Sequence, residues 1–165
     1  MTPLEQAFIG AVNALEQDSS CSRFYGGPEV SVRVLSALVD RLHAQPMEDL
    51  GTGITMSGGY TCYFNARGEV TYRLFEDAYI NYNGPFYRTK SPLTDRSVPP
   101  VGSFPPNTRE SRILILLHEL AHLLTGPHGN WLIPDDGNNP ALSSQNTLTI
   151  EARCGDQIRA IKADQ

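Results

Sequence analysis

The chain has 165 residues, of which 40% are hydrophobic and 19% charged, and its mean hydropathy is −0.29. These values are typical of one globular domain spanning 1–165, and they argue against a disordered, fibrous or membrane-embedded protein. The formal net charge of −5 and the lack of a basic cluster argue against nucleic acid as a partner.

Two helices are predicted near the start of the chain. Apolar residues recur at helical spacing over 3–17, and Pro3 falls in the first turn, where proline is tolerated. The same spacing returns after the breaker 26–28 and continues until Gln45-Pro46, which predicts a second helix.

A small antiparallel sheet is predicted next. The glycines and small polar residues of 51–59 predict no regular element. Strands are expected over 61–64 and 70–75, on either side of a turn, and a third strand over 79–82. The proline-rich segment 91–106 is expected to be an extended connection.

A buried central helix follows. It is predicted to begin at Asn107 as N-cap, with Glu110 as its capping-box partner, and to end at Gly126-Pro127. Residues 113–117 are apolar on every face, so this helix should lie between the sheet and the other helices. The same run is far shorter than the roughly 20 residues that cross a bilayer, so no membrane association is expected.

The central helix contains the sequence His118-Glu119-Leu120-Ala121-His122. Two histidines four residues apart project from one face of a helix, where both imidazoles can reach one metal ion. The glutamate between them can act as a base in the same cleft. The plain alternative is a metal-free helix in which one histidine is buried against a hydroxyl and the other is solvated.

On this motif, over about 60–125, the chain resembles the zincin metallopeptidases. The resemblance implies an α+β fold with a small antiparallel sheet packed on the HExxH helix, together with N-terminal helices and a C-terminal helix. It implies that His118 and His122 bind Zn²⁺ and that Glu119 is the general base for a metal-activated water. The implied substrate is a peptide or protein.

Three residues are candidates for the third zinc ligand. His128 lies six positions after His122, as in the metzincin pattern, although Gly126 is displaced by one position from that pattern. Glu151 matches the gluzincin arrangement, in which a later helix supplies a glutamate. Asp136 lies in an acidic turn, and the chain is similar around it to uncharacterised bacterial HExxH proteins, often exported. That resemblance favours Asp136 and leaves Glu151 and His128 as alternatives.

The last helix is predicted to bury one face. That face carries residues at a spacing of three or four: Asn146, Ile150, Cys154, Ile158 and Ile161. Asn146 is expected either to hold a metal ligand in place or to serve as a helix cap. Cys154 is expected to pair with Cys21, which lies at a turn between helices, and three free thiols are the alternative.

The leading functional prediction is a monomeric zinc metallopeptidase. The alternatives are a closed zinc site that stabilises a binding or structural module of a larger secreted protein, and a toxin domain. Acidic residues in the first twenty positions are unlike a signal peptide, so the chain is expected to be intracellular or to have lost an export signal. The bacterial resemblance favours export.

Overall fold

The computed structural model describes residues 1–161 and has an α+β architecture with a small mixed sheet. In that part of the chain the elements are, in order, α1 (Pro3–Glu16), α2 (Ser20–Phe24), α3 (Pro28–Arg41), β1 (Leu42–Gln45), β2 (Ile54–Phe64), β3 (Val70–Asn81), α4 (Arg109–Ala121) and α5 (Pro140–Ala160). The α+β class predicted from the sequence is thus confirmed.

The sheet has the order β1-β3-β2 and is not purely antiparallel as predicted. Strand β2 pairs antiparallel with β3, whereas β1 runs parallel to β3, with Leu42 opposite Ala78. The predicted second helix therefore ends earlier, at Arg41, because 42–45 extend along the sheet. The segment 79–82, predicted to be a separate strand, is largely the end of β3.

The prediction that 51–59 holds no regular element is wrong, because β2 begins at Ile54. The register of β2 against β3 shifts between Ser57 and Tyr60. Gly58, with a φ of 80°, and Gly59 lie in this bulge. A bulge uses the conformational freedom of glycine within a strand, so the glycines bend β2 without ending it.

Helix α4 begins and ends at other residues than the sequence predicts. Thr108 is the N-cap and exchanges hydrogen bonds with Ser111, whereas Asn107 has a φ of 57° and lies outside the helix. The helix stops at Ala121, before the predicted Gly126-Pro127, because the next residues pair with the sheet. The backbone N–H of Thr125 donates to the carbonyl of Thr71 in β3.

Burial of α4 on all sides is confirmed. Its apolar residues from Ile113 to Leu117 are buried, and the helix packs against α1, α3, α5 and β2. None of the helices within 1–161 combines the length and apolar character that crossing a membrane requires.

The structure confirms the disulfide between Cys21 and Cys154, which joins α2 to α5, and leaves Cys62 as a thiol. We therefore expect one free thiol when the unreduced protein is unfolded in denaturant and titrated with a thiol reagent. After reduction the same titration should give three. Three thiols before reduction would contradict the disulfide.

Candidate metal centre

The two motif histidines lie at the C-terminal end of α4, where the helix meets the cleft. His118 is in the last turn and His122 is the C-cap residue. Both side chains are buried, and their Nε2 atoms are 3.1 Å apart. The expectation that one ring is solvated, which belongs to the metal-free alternative, is therefore wrong.

Asp136 brings a carboxylate to the same point. Its Oδ1 lies 3.3 Å from Nε2 of His118 and 3.2 Å from Nε2 of His122. Tetrahedral zinc with bonds of about 2.0 to 2.1 Å separates its ligand atoms by roughly 3.3 Å. The three donor atoms are thus spaced much as such an ion requires, and the donor set of two imidazoles and one carboxylate suits zinc.

Neighbouring side chains from α5 orient these groups. Oγ1 of Thr147 lies 2.8 Å from Nδ1 of His118. A proton on Nδ1 that is donated to Thr147 leaves the lone pair of Nε2 free for a metal. Asn146 donates from Nδ2 to Oδ1 of Asp136 at 2.6 Å and to the carbonyl of Pro134 at 2.9 Å. Asn146 therefore contacts the candidate ligand, whereas Asn139 is the N-cap of α5.

The other two candidates for the third ligand lie elsewhere. His128 is exposed on the loop after α4. Glu151 accepts hydrogen bonds from the backbone N–H and the hydroxyl of Ser103, and its Oε2 lies 3.8 Å from Nη1 of Arg159. Neither residue belongs to the group formed by the histidines and Asp136. The assignment of Asp136 as a metal ligand stays a prediction.

The two carboxyl groups at the site differ in their proton affinity. Burial raises the pKa of Glu119 well above its ordinary value, and the negative charge of Asp136 adds to this effect. Burial also acts to raise the pKa of Asp136, but hydrogen bonds from His118, His122 and Asn146 outweigh it and hold the pKa far below the usual range. The site therefore lowers the proton affinity of Asp136 and raises that of Glu119.

The site opens into a cleft of about 1110 Å³. Glu119 lines this cleft together with both histidines and Asp136. Further walls come from 51–56, 99–102, 137–140, 143–144 and 147–148. Sequence reasoning misses the wall formed by the start of β2, because it predicts no regular element over 51–59.

Sequence reasoning also misses Thr147 and Arg73. Arg73 donates from Nε to the carbonyl of His122 at 2.9 Å and from Nη2 to Oδ1 of Asp135 at 2.8 Å. The sequence signal for Arg73 is that a charged residue interrupts the aromatic and β-branched run of β3. That signal does not reveal whether the side chain points into the core or to solvent.

Tyr25 supports α4 from behind, since its buried hydroxyl donates to the carbonyl of Leu117. Burial raises the pKa of Tyr25 well above its ordinary value. The unfolded chain therefore releases this proton first, at about pH 10, and the stability that the neutral phenol provides is lost as the pH rises further.

We expect Tyr25→Phe to cost about 1 kcal/mol of unfolding free energy near neutral pH, since one hydrogen bond is removed. The difference between the parent protein and the variant should shrink above about pH 10. Urea unfolding from pH 8 to 11 measures it, and a difference that grows with pH would contradict the assignment.

Comparisons with protein-family models, with curated proteins and with solved structures find no match for this chain.

Proposed function

We propose that this protein is a zinc-dependent metallopeptidase. The observation that carries the proposal is the convergence of His118, His122 and Asp136 within bonding distance of one ion, with Glu119 lining the same cleft. Peptidases of the HExxH type need this combination, because the ligands hold the metal while the glutamate moves a proton. The spacing of the three donors supports zinc as the ion.

Zinc at this position would supply Lewis acidity toward the scissile carbonyl and the attacking water. Glu119 would take one proton from that water as its oxygen bonds to the carbonyl carbon. The same carboxyl would then give the proton to the amide nitrogen as the C–N bond breaks. Burial raises the pKa of Glu119, which brings its proton affinity closer to what a base needs near neutral pH.

An open metal site is better supported than a closed structural one. A closed zinc site has four protein ligands, whereas the metal-binding group among residues 1–161 has three. The adjacent carboxylate of Asp135 is paired with Arg73. A bound zinc would thus have a position left for water or substrate from the cleft.

The proposed partner is an exposed peptide or protein segment that enters the cleft, with the enzyme acting as a monomer. The disulfide between Cys21 and Cys154 supports an oxidising compartment, where such bonds persist. That agrees with export, which the sequence resemblance favours.

Metal analysis followed by a peptide assay tests the proposal. We expect about one equivalent of zinc in the purified native protein, as a single mononuclear site requires. The protein should cleave members of an unbiased peptide mixture at neutral pH. A chelator should abolish this cleavage and added zinc should restore it. Failure of the zinc-loaded protein to cleave any peptide would reject the peptidase function.

A further inference from the structure

We infer that Arg73 is a positioning residue that, through Asp135, fixes Asp136 at the metal and keeps Asp135 away from it. The inference rests on the proposed function, because it concerns the same metal site. It deepens that proposal by stating how the fold selects one of two consecutive carboxylates as the ligand.

Arg73 is attached to the end of the helix that carries both histidines. Its backbone N–H donates to the carbonyl of Leu123 at 2.9 Å, and its Nε donates to the carbonyl of His122 at the same distance. These carbonyls lie at the C-terminal end of α4, where a cation also interacts favourably with the helix dipole. The guanidinium therefore has a fixed place relative to the imidazole of His122.

The guanidinium is also held by aromatic rings. It lies 4.0 Å from the ring centre of Trp131, 4.8 Å from that of Tyr60 and 5.1 Å from that of Phe75. Trp131 belongs to the loop between α4 and the acidic turn. This loop therefore packs on the guanidinium of Arg73 through Trp131, and Asp135 at its end pairs with the same group. Arg73 is only 2% exposed, and a buried cation requires a close anionic partner.

Asp135 is that partner. Its Oδ1 accepts from Nη2 of Arg73 at 2.8 Å, although its side chain is 69% exposed. Because consecutive Cα atoms are about 3.8 Å apart, anchoring Asp135 restricts where Asp136 can lie. The ion pair therefore sets the position of the candidate ligand relative to both histidines.

The pair also separates the roles of the two carboxylates. Oδ1 of Asp135 lies 4.0 Å from Nδ1 of His122, whereas Asp136 contacts Nε2 of the same ring. At 4.0 Å the carboxylate makes no hydrogen bond to Nδ1, which is buried without a hydrogen-bond partner in the described part of the chain, so Asp135 acts on this ring only through its charge. Arg73 thus keeps Asp135 on the outer side of the imidazole and leaves the fourth metal position open.

The test measures metal affinity and geometry in the full chain with variants of the ion pair. Asp135→Ala is the main variant, because its side chain is 69% exposed, so the change creates no core cavity and removes only the carboxylate that pairs with Arg73. We expect it to weaken zinc binding by about 10- to 100-fold in competition with a chelating dye. Asp135→Asn keeps an oxygen acceptor and should lose less. The control Asp18→Ala breaks another 2.8 Å aspartate–arginine pair, far along the chain, and should leave zinc affinity unchanged.

Variants of Arg73 distinguish a role in positioning the metal ligand from a role in the stability of the fold. Arg73→Lys keeps the charge but cannot bridge the carbonyl and the carboxylate with one planar group, so it should also weaken zinc binding. The double variant Arg73→Lys/Asp135→Ala should lose no more affinity than the weaker-binding single variant, because both act through one pair. The visible spectrum of the Co²⁺-loaded protein should change in each single variant. If the Arg73 variant does not fold, the Asp135 variants carry the test.

The outcomes separate this inference from the proposed function. Unchanged zinc affinity and an unchanged Co²⁺ spectrum in Asp135→Ala would overturn the positioning role and leave the peptidase proposal standing. Lower thermal stability of Asp135→Ala with unchanged metal binding would also overturn the positioning role and leave the peptidase proposal standing. Absence of zinc binding by the parent protein would overturn the metal site and this inference together.

Discussion

Replacing Glu119 by glutamine is expected to lower the rate of peptide hydrolysis by about 10²- to 10⁴-fold while zinc binding is retained. Glutamine has nearly the same shape as glutamate, but it cannot accept a proton from water and return it to the leaving amine. The histidines and Asp136 remain unchanged, so the metal content should stay at the level of the parent protein. Peptide turnover and metal analysis of the same preparation measure the two effects.

The same variant should be more stable than the parent protein without metal at neutral pH. The folded state raises the pKa of Glu119, so stability falls as the pH rises from the ordinary glutamate value toward the folded-state value. Because glutamine does not ionise, the variant does not lose stability in this way. Urea unfolding of the two metal-free proteins at pH 7 checks the sign.

Glu110→Gln is the matched control, because Glu110 lies in the first turn of the same helix. It should leave hydrolysis near the parent rate. Full activity of Glu119→Gln would contradict the assignment of the base. The structural alternative predicts a different result, in which the zinc-loaded parent protein itself hydrolyses no peptide.

The sequence predicts those parts of the fold that depend on local spacing. Helix α1 is found over Pro3–Glu16 against an expected 3–17, and the apolar run in α4 is buried as expected. The errors lie where tertiary pairing overrides local preference. Residues 42–45 continue a helical pattern but pair with β3. The glycines near 58 would end an isolated strand, yet they form a bulge because β3 holds the register on both sides.

The candidate site divides in the same way. The motif histidines are four residues apart, so helix geometry alone brings them together. Asp136 could be favoured only through a resemblance, because its approach depends on the course of the loop after α4. Thr147 and Arg73 come from elements distant in sequence, and no local pattern indicates which nitrogen or carbonyl they reach. These residues become visible only when α5 and β3 are placed around α4.

Replacing Asp136 by alanine is expected to weaken zinc binding by more than about 100-fold, beyond the usual loss for residues that only orient a ligand. The change removes the one anionic donor of the group and leaves two neutral imidazoles. It also removes one of the two oxygens to which Asn146 donates. Hydrolysis should fall with metal occupancy, which chelator competition and peptide turnover measure together.

Glu151→Ala decides between the two carboxylate candidates, because Glu151 is the alternative ligand in the gluzincin arrangement. Glu151 accepts a hydrogen bond from Ser103 and lies near Arg159. Its removal should therefore loosen the contact between 101–104 and α5 without reducing zinc affinity. Zinc binding that survives in Asp136→Ala but is lost in Glu151→Ala would reverse the assignment. It would mean that α5, and not the acidic turn, supplies the third ligand, and that the Arg73–Asp135 pair has no ligand to position.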